Sequence, residues 1–304
     1  MNRPAVLALA AVLSLVLSSC GAAEQEGGDA VTGGTSTPTL SSSPSSDTAA
    51  GSSPSPSSPA PEENGPRVRT VELDEAISHV HGLVVDEEGV VRAGTHEGVR
   101  VIDDQGGVTA VGPQDDLMGM TGLPGTRRLV SSGHPGPGSP LPNPLGLLRS
   151  DDGGETWDPV SLTGEIDFHA LAVTDDYLVG FDGVTGLIVS TDGGSTWDQG
   201  PRMAAASLAA VGDEVWAATP DGLMHSTDRA ASFAPVDGAP LLRQVSAGVD
   251  GSLWGVDVDG TAWVSADGRQ WTEHEEIASA QAIAALDRST AYAVDETTLF
   301  LLSV

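Results

Sequence analysis

The sequence predicts an all-β chain folded as a β-propeller of six blades, with seven as the alternative count. Three observations carry this expectation. The pattern Ser-x-Asp-x-Gly-x-Thr-Trp stands intact at Ser150–Trp157 and Ser190–Trp197, with a degraded copy from Ser226 and a shortened one from Ser265. Their starts lie 40, 36 and 39 residues apart, a period that suits one four-stranded blade. Short alternating or apolar runs recur between the copies, while helical periodicity is absent and Gly and Asp punctuate every hairpin.

The elements follow in order. Innermost strands are expected at His81–Asp86, Met118–Leu123, His169–Thr174, Ser207–Gly212, Val245–Val249 and Ala282–Leu286. Second strands follow as VVRAGT, RRLVSSG, YLVGFD, EVWAAT, SLWGVD and AYAVDE. The last run, Leu299–Val304, leaves the sixth blade one strand short. Val68–Leu73 can supply that strand, closing the ring and removing two open sheet edges. In each repeat the Asp side chain can accept hydrogen bonds from turn N–H groups and the glycines permit positive φ. The aromatic ring can then plug the gap between neighbouring sheets, which predicts that Trp157 and Trp197 are largely buried. A calcium loop would need more oxygen ligands at a different spacing.

Residues before this domain read differently. An apolar run from Ala5 to Leu17 follows a short segment charged by Arg3 and ends at Leu17-Ser-Ser-Cys20. It is too short to span a bilayer and suits a secretory signal over residues 1–20. Residues 21–66 are rich in Ser, Pro, Thr, Ala and Gly, carry little apolar surface to offset the entropy of ordering, and are expected to form a disordered tether. As a flexible coil it would span about 40 Å. Residues 67–304 hold the propeller.

Charge and cysteine count exclude several roles. The 43 acidic and 13 basic residues give a net charge of −30, and every basic residue is Arg. Nucleic-acid binding needs basic patches that displace phosphate counterions, so no nucleic-acid partner is expected. Cys20 is the sole cysteine, which leaves no disulfide and no Cys-rich metal site. A monomer is expected.

The N-terminal ending resembles the lipobox of bacterial lipoproteins. That resemblance implies diacylglycerol on the Cys20 sulfur and anchoring at the extracytoplasmic face of the cell membrane. The repeated motif is similar to the Asp-boxes, or BNR repeats, of sialidase-like propellers. A closer similarity combines the Asp-boxes with His79-Val-His-Gly, Gly94-Thr-His-Glu-Gly, Met118-Gly-Met, Gly133-His-Pro, Asn143-Pro-Leu-Gly and Asp167-Phe-His-Ala. It resembles actinobacterial lipoproteins that carry the label glycosyl hydrolase, a label inherited from the fold. Sialidases of this type bring an Arg-Ile-Pro motif, an arginine triad and a Tyr nucleophile. Arg-Ile-Pro is missing here, no arginine triad is evident, and the only tyrosines, Tyr177 and Tyr292, fall at packing positions.

The histidines are unevenly placed. If the repeats are turns between third and fourth strands, inner-strand starts and second-to-third loops lie on the opposite face. His79, His81, His96, His134 and His169 then share one rim of three adjacent blades, with Asp116, Met118, Met120, Asp167 and Asp182 nearby. Converging imidazoles suit Zn²⁺ or Cu²⁺, and thioethers favour copper. His225 and His274 fall on outer strands. The expected function is a non-catalytic binding or accessory module, with a metal or another small ligand at the channel mouth. The alternatives are a glycosyl hydrolase that uses acids near the same mouth, with a glycan substrate, and an assembly factor for a membrane-protein complex.

Overall fold

A computed structural model describes residues 67–304; the expected signal segment, Cys20 and the Ser/Pro-rich stretch lie outside the described residues. Six four-stranded antiparallel sheets follow one another around a central channel. Blade 1 contains β2 (Val80–Val85), β3 (Val91–Thr95), β4 (Gly98–Ile102) and β5 (Val108–Val111). Blade 2 contains β6 (Asp116–Gly122), β7 (Leu129–His134), β8 (Leu147–Ser150) and β9 (Asp158–Ser161). Blade 3 runs from β10 (Ala170–Val173) through β11 (Leu178–Phe181) and β12 (Leu187–Ser190) to β13 (Asp198–Gln199). Blade 4 comprises β14 (Ser207–Val211), β15 (Glu214–Thr219), β16 (Gly222–Ser226) and β17 (Ala234–Pro235). Blade 5 comprises β18 (Leu242–Ala247), β19 (Leu253–Asp257), β20 (Thr261–Ser265) and β21 (Trp271–Glu276).

The sixth blade closes the ring. Its inner strands β22 (Ala282–Asp287), β23 (Thr290–Val294) and β24 (Thr298–Ser303) pair in sequence, and β1 (Arg67–Glu72) adds the outer strand. Val68 lies opposite Leu302 and Val71 opposite Leu299, so the first strand of the domain satisfies an edge left by the last. The count is therefore six rather than seven, and no helix occurs among the described residues.

Apolar side chains fill the seams between blades. Val99 and Leu117 meet Leu129 between blades 1 and 2, and Phe168 meets Leu147 between blades 2 and 3. Trp254 packs with Ile283 and Leu302 between blades 5 and 6. Each repeat aromatic borders such a seam, as Trp157, Trp197, Phe233 and Trp271 do. Trp157 and Trp197 are only half-buried, however, which corrects the expectation of deep burial. The ring of Trp197 leans on Phe168 at 5.0 Å while its N–H donates to Ser161 Oγ and Gly194 O, which fixes the ring beside the seam. The fully buried tryptophans are Trp216 and Trp254, on second strands.

The repeat turns share one hydrogen-bond scheme. Asp152 accepts from Thr156 N and Oγ1 and from Ser150 Oγ, and Ser150 Oγ in turn accepts from Gly154 N. Asp192 and Asp228 repeat the scheme with Thr196 and Ser232. These donors, the Thr or Ser hydroxyl first, hold all three carboxyls down at about 2. Gly153 and Gly154 take φ of 80° and 93°, where other residues are strained. The degraded copy keeps this backbone with Arg229 and Ala230 at φ of 57° and 66°. Its carboxylate network therefore holds the turn without the glycines.

Candidate metal centre

The candidate rim is built by the starts of the inner strands. In β2 the pairing register shifts between Val80 and Gly82, and in β6 between Leu117 and Gly119. His81 and Met118 are thus bulged residues, a geometry that re-aims a side chain away from the regular alternation. His169 occupies the corresponding place just before β10, and its side chain stands half-exposed. His81 and His169 both line the mouth of the central channel.

Three imidazoles of blade 1 are in mutual contact. The His81 ring lies 4.7 Å from that of His79 and 4.6 Å from that of His96, edge to face in both cases, while His79 and His96 stack at 5.9 Å. His96, in the loop after β3, sets its Nδ1 2.8 Å from Asp116 Oδ1 at the start of β6. A carboxylate can only accept, so His96 Nδ1 carries the proton and Nε2 presents a lone pair. That Nε2 faces His81 Nε2 at 3.4 Å. A tetrahedral zinc ion with bonds of about 2.0–2.1 Å holds two ligand nitrogens about 3.3 Å apart.

Electrostatics favours neutral ligands here. Burial first, then the neighbouring His79, His96 and His169, lowers His81 to about 4, against the opposing pull of Asp116. At neutral pH its imidazole is uncharged and can donate a lone pair. Among the described residues, His81, His96 and Asp116 form the one group of three whose ligand atoms all lie within 4.8 Å of one another. A carboxylate that fixes the far nitrogen of a metal-binding imidazole is a recurrent second layer around metal ions, and Asp116 stands in that relation to His96.

The other rim residues separate into a second group and a remainder. His134 Nε2 and His169 Nε2 each lie 3.4 Å from Asp167 Oδ2. His134 Nδ1 meets Asn143 Oδ1 at 2.8 Å, so the long Pro-rich loop folds back on the histidine that precedes it. The neighbouring Asp115, through a 2.7 Å bond from Gly136 N, ties down the start of that loop. Sequence reasoning selected neither Asn143 nor Asp115 for these roles; the Asn143–Gly146 motif was the only signal, and it named no partner.

Two sequence candidates lie beside the rim with their side chains engaged in the fold. Met120 is buried in the seam between blades 1 and 2, where a Cβ added at Gly94 would meet its sulfur at 3.0 Å. Its side chain packs in that seam, while the residue itself lines the central channel. Asp182 is consumed by its own turn, accepting from the N–H groups of Val184, Thr185 and Gly186 and from Thr185 Oγ1. Burial pushes its carboxyl up, but those bonds outweigh it and leave it below the usual range. Met118 is half-buried at its bulge. His225 stacks on Trp216 at 4.8 Å, and His274 meets Trp254 edge-on while bonding Ser303 O; both serve packing.

No protein-family model matches the chain, and no curated protein does. Solved structures do. Virginiamycin B lyase from Staphylococcus aureus is similar with a TM-score of 0.53 at 14% identity, over 79% of this chain and 99% of that one. A protein of unknown function from Bacteroides thetaiotaomicron gives 0.60 at 11%, over 79% and 76%. A gluconolactonase from Xanthomonas campestris gives 0.57 at 14%, over 78% and 89%. At such identities the likeness is one of fold: this chain is a six-bladed β-propeller.

Proposed function

We propose that this chain is an extracytoplasmic propeller, held to the membrane by lipid on Cys20, that binds a transition metal at its channel mouth as a non-catalytic binding or accessory module. The observation that carries the reading is the pair of facing Nε2 atoms of His81 and His96, 3.4 Å apart, with His96 oriented by Asp116. His79 stands beside both rings as a third nitrogen donor. Imidazole with carboxylate suits Zn²⁺ or Cu²⁺, and the bulged Met118 one blade away would favour copper if its sulfur joined the set. The Ser-x-Asp-x-Gly turns support the Asp-box type of propeller. The apolar run before Leu17-Ser-Ser-Cys20 supports the anchor, and the Ser/Pro-rich stretch supports a tether that carries the domain clear of the lipid.

Equilibrium dialysis of the metal-stripped full chain against Zn²⁺ and Cu²⁺ tests the metal. Tight uptake lost in His96→Ala and kept in His225→Ala is expected; uptake indifferent to His96 contradicts the reading. For the anchor, Cys20→Ala should move the chain from the membrane to the soluble fraction, and a variant still on membranes refutes it.

A catalytic reading has one specific support. His81, lowered to about 4 beside a carboxylate-bound histidine, is a neutral base at an open mouth, and propellers of similar fold include a lyase and a gluconolactonase. Turnover on a panel of lactones and glycans, abolished by His81→Ala, would favour it over the non-catalytic role.

A further inference from the structure

The blade repeat places two imidazole–carboxylate pairs in equivalent positions. His96 follows the second strand of blade 1 and meets Asp116 at the start of blade 2. His134 ends the second strand of blade 2 and meets Asp167 just before blade 3. In each case a histidine on the inner-strand rim completes the set, His81 in the first and His169 in the second.

With a neutral His134 the second set contains a hydrogen-bond conflict. Asn143 Oδ1 can only accept, so the proton of a neutral His134 sits on Nδ1 and its Nε2 is a bare acceptor. That acceptor faces Asp167 Oδ2, itself an acceptor, at 3.4 Å. The other carboxylate oxygen, Oδ1, is buried with no hydrogen-bond partner, although Asp167 is mostly shielded from water, with 16% of its side chain exposed. A part-buried carboxylate with one idle oxygen and one oxygen set against a lone pair is costly unless a cation, an imidazolium or a metal ion, neutralises it. His169 brings a second nitrogen to the same oxygen at the same 3.4 Å. A tetrahedral ion with bonds of about 2.0–2.2 Å to nitrogen and oxygen imposes a separation of about 3.4 Å between them.

We propose that His134, Asp167 and His169 form a second transition-metal site, one blade round the rim from the first. The proposal rests on the metal-binding reading of the mouth and extends it from one ion to two. This second set is the more open, since only the first has all its ligand atoms within 4.8 Å of one another. His134 stands at the end of β7, where the Pro-rich loop begins, and has to close toward His169. The second ion therefore binds more weakly and fills after the first. Two ions on one rim would present an anionic or chelating ligand with two Lewis-acidic positions.

The test is a Co²⁺ titration of the metal-stripped full chain in detergent, followed by the visible d–d absorption, with Zn²⁺ stoichiometry by equilibrium dialysis. Wild type is expected to take up two equivalents in two phases. His134→Ala and Asp167→Asn should each lose the weaker equivalent and keep the tighter one; His96→Ala should lose the tighter one and keep the weaker. Asp167→Asn preserves shape, and an unchanged circular-dichroism melting curve excludes misfolding as the cause of loss. A single equivalent, removed by His96→Ala and untouched by His134→Ala or Asp167→Asn, overturns this inference and leaves the first site standing. No uptake by wild type overturns both.

Discussion

Two stretches of the channel rim, meeting at blade 1, are built from the same strand starts and do different work. Across blades 5, 6 and 1 the rim is stitched shut. Arg243 donates to Asp257 O and to Ala280 O of the next blade, Gln244 donates to Gln281 O, and Gln281 Oε1 accepts from Val80 N of blade 1. Every one of these bonds ends on a backbone group, so the side chains there satisfy the scaffold and have little left for a ligand. Across blades 1 to 3 the equivalent positions carry His81, Met118 and His169, and ring nitrogens face one another or a shared carboxylate. Arg243 and His81 both sit at register shifts near the starts of their strands, yet one is spent on closure and the other is free to coordinate. The fold supplies six similar places, and sequence decides which are mortar and which are donors.

The largest expected effect separates scaffold from rim. Trp254 is fully buried in the seam between blades 5 and 6, and its N–H reaches Asp287 O across that seam. Trp254→Ala should cost about 3–5 kcal/mol, read as a lower midpoint in urea. A shift below about 1 kcal/mol would mean that this seam is not what holds the stitched stretch together.

A smaller effect is expected from the stitching itself. Gln281→Ala leaves Val80 N without its acceptor and should cost about 1–3 kcal/mol while metal uptake is unchanged. Reduced uptake in this variant would show that the two stretches are coupled. His96→Ala gives the mirror image: its half-exposed side chain should cost no more than about 0.5 kcal/mol, measured in the same urea series, while abolishing the tighter metal equivalent.

Acid should act on the rim first, because His81, lowered to about 4 from the ordinary 6.5, stays unprotonated in the fold. Stability is lost there as pH falls between about 6.5 and 4; below that, acid should act on the repeat turns. Asp152, Asp192 and Asp228 sit at about 2, below the ordinary 3.8. A carboxyl lowered on folding contributes stability that is present above its unfolded value and is lost as pH falls through the folded one. Stability should therefore decline between about pH 4 and pH 2, by less in Asp192→Asn than in wild type. An identical acid slope in the variant would remove these bonds from the account.

How much of this could be read from sequence follows from the range of the interactions. The blades, their order and the borrowed strand β1 were legible because the repeat is local and closure has one solution: a last blade one strand short and a spare apolar strand before the first. The rim was legible as a face, since strand starts and second-to-third loops must share it. Its division into two sets was not. Whether His134 joins His96 or Asp167 depends on how the loop through Asn143 folds back, and no periodicity encodes that. The packing of Met120 was hidden for a related reason: a bulge at Met118 shifts the alternation, so the second methionine turns its side chain into the seam against Gly94. Trp157 and Trp197 were expected too deep because the motif fixes their place beside a seam but not how much of each ring remains at the surface.

The central claim is that the His81 and His96 nitrogens face each other across a metal position. Anomalous diffraction at the zinc edge, from crystals of the full chain equilibrated with Zn²⁺, tests it most directly. The account predicts a strong peak about 2.0–2.1 Å from both Nε2 atoms, with Asp116 still bonded to His96 Nδ1. A rim without a peak there, or a peak elsewhere that leaves His81 and His96 in contact with each other, would contradict it.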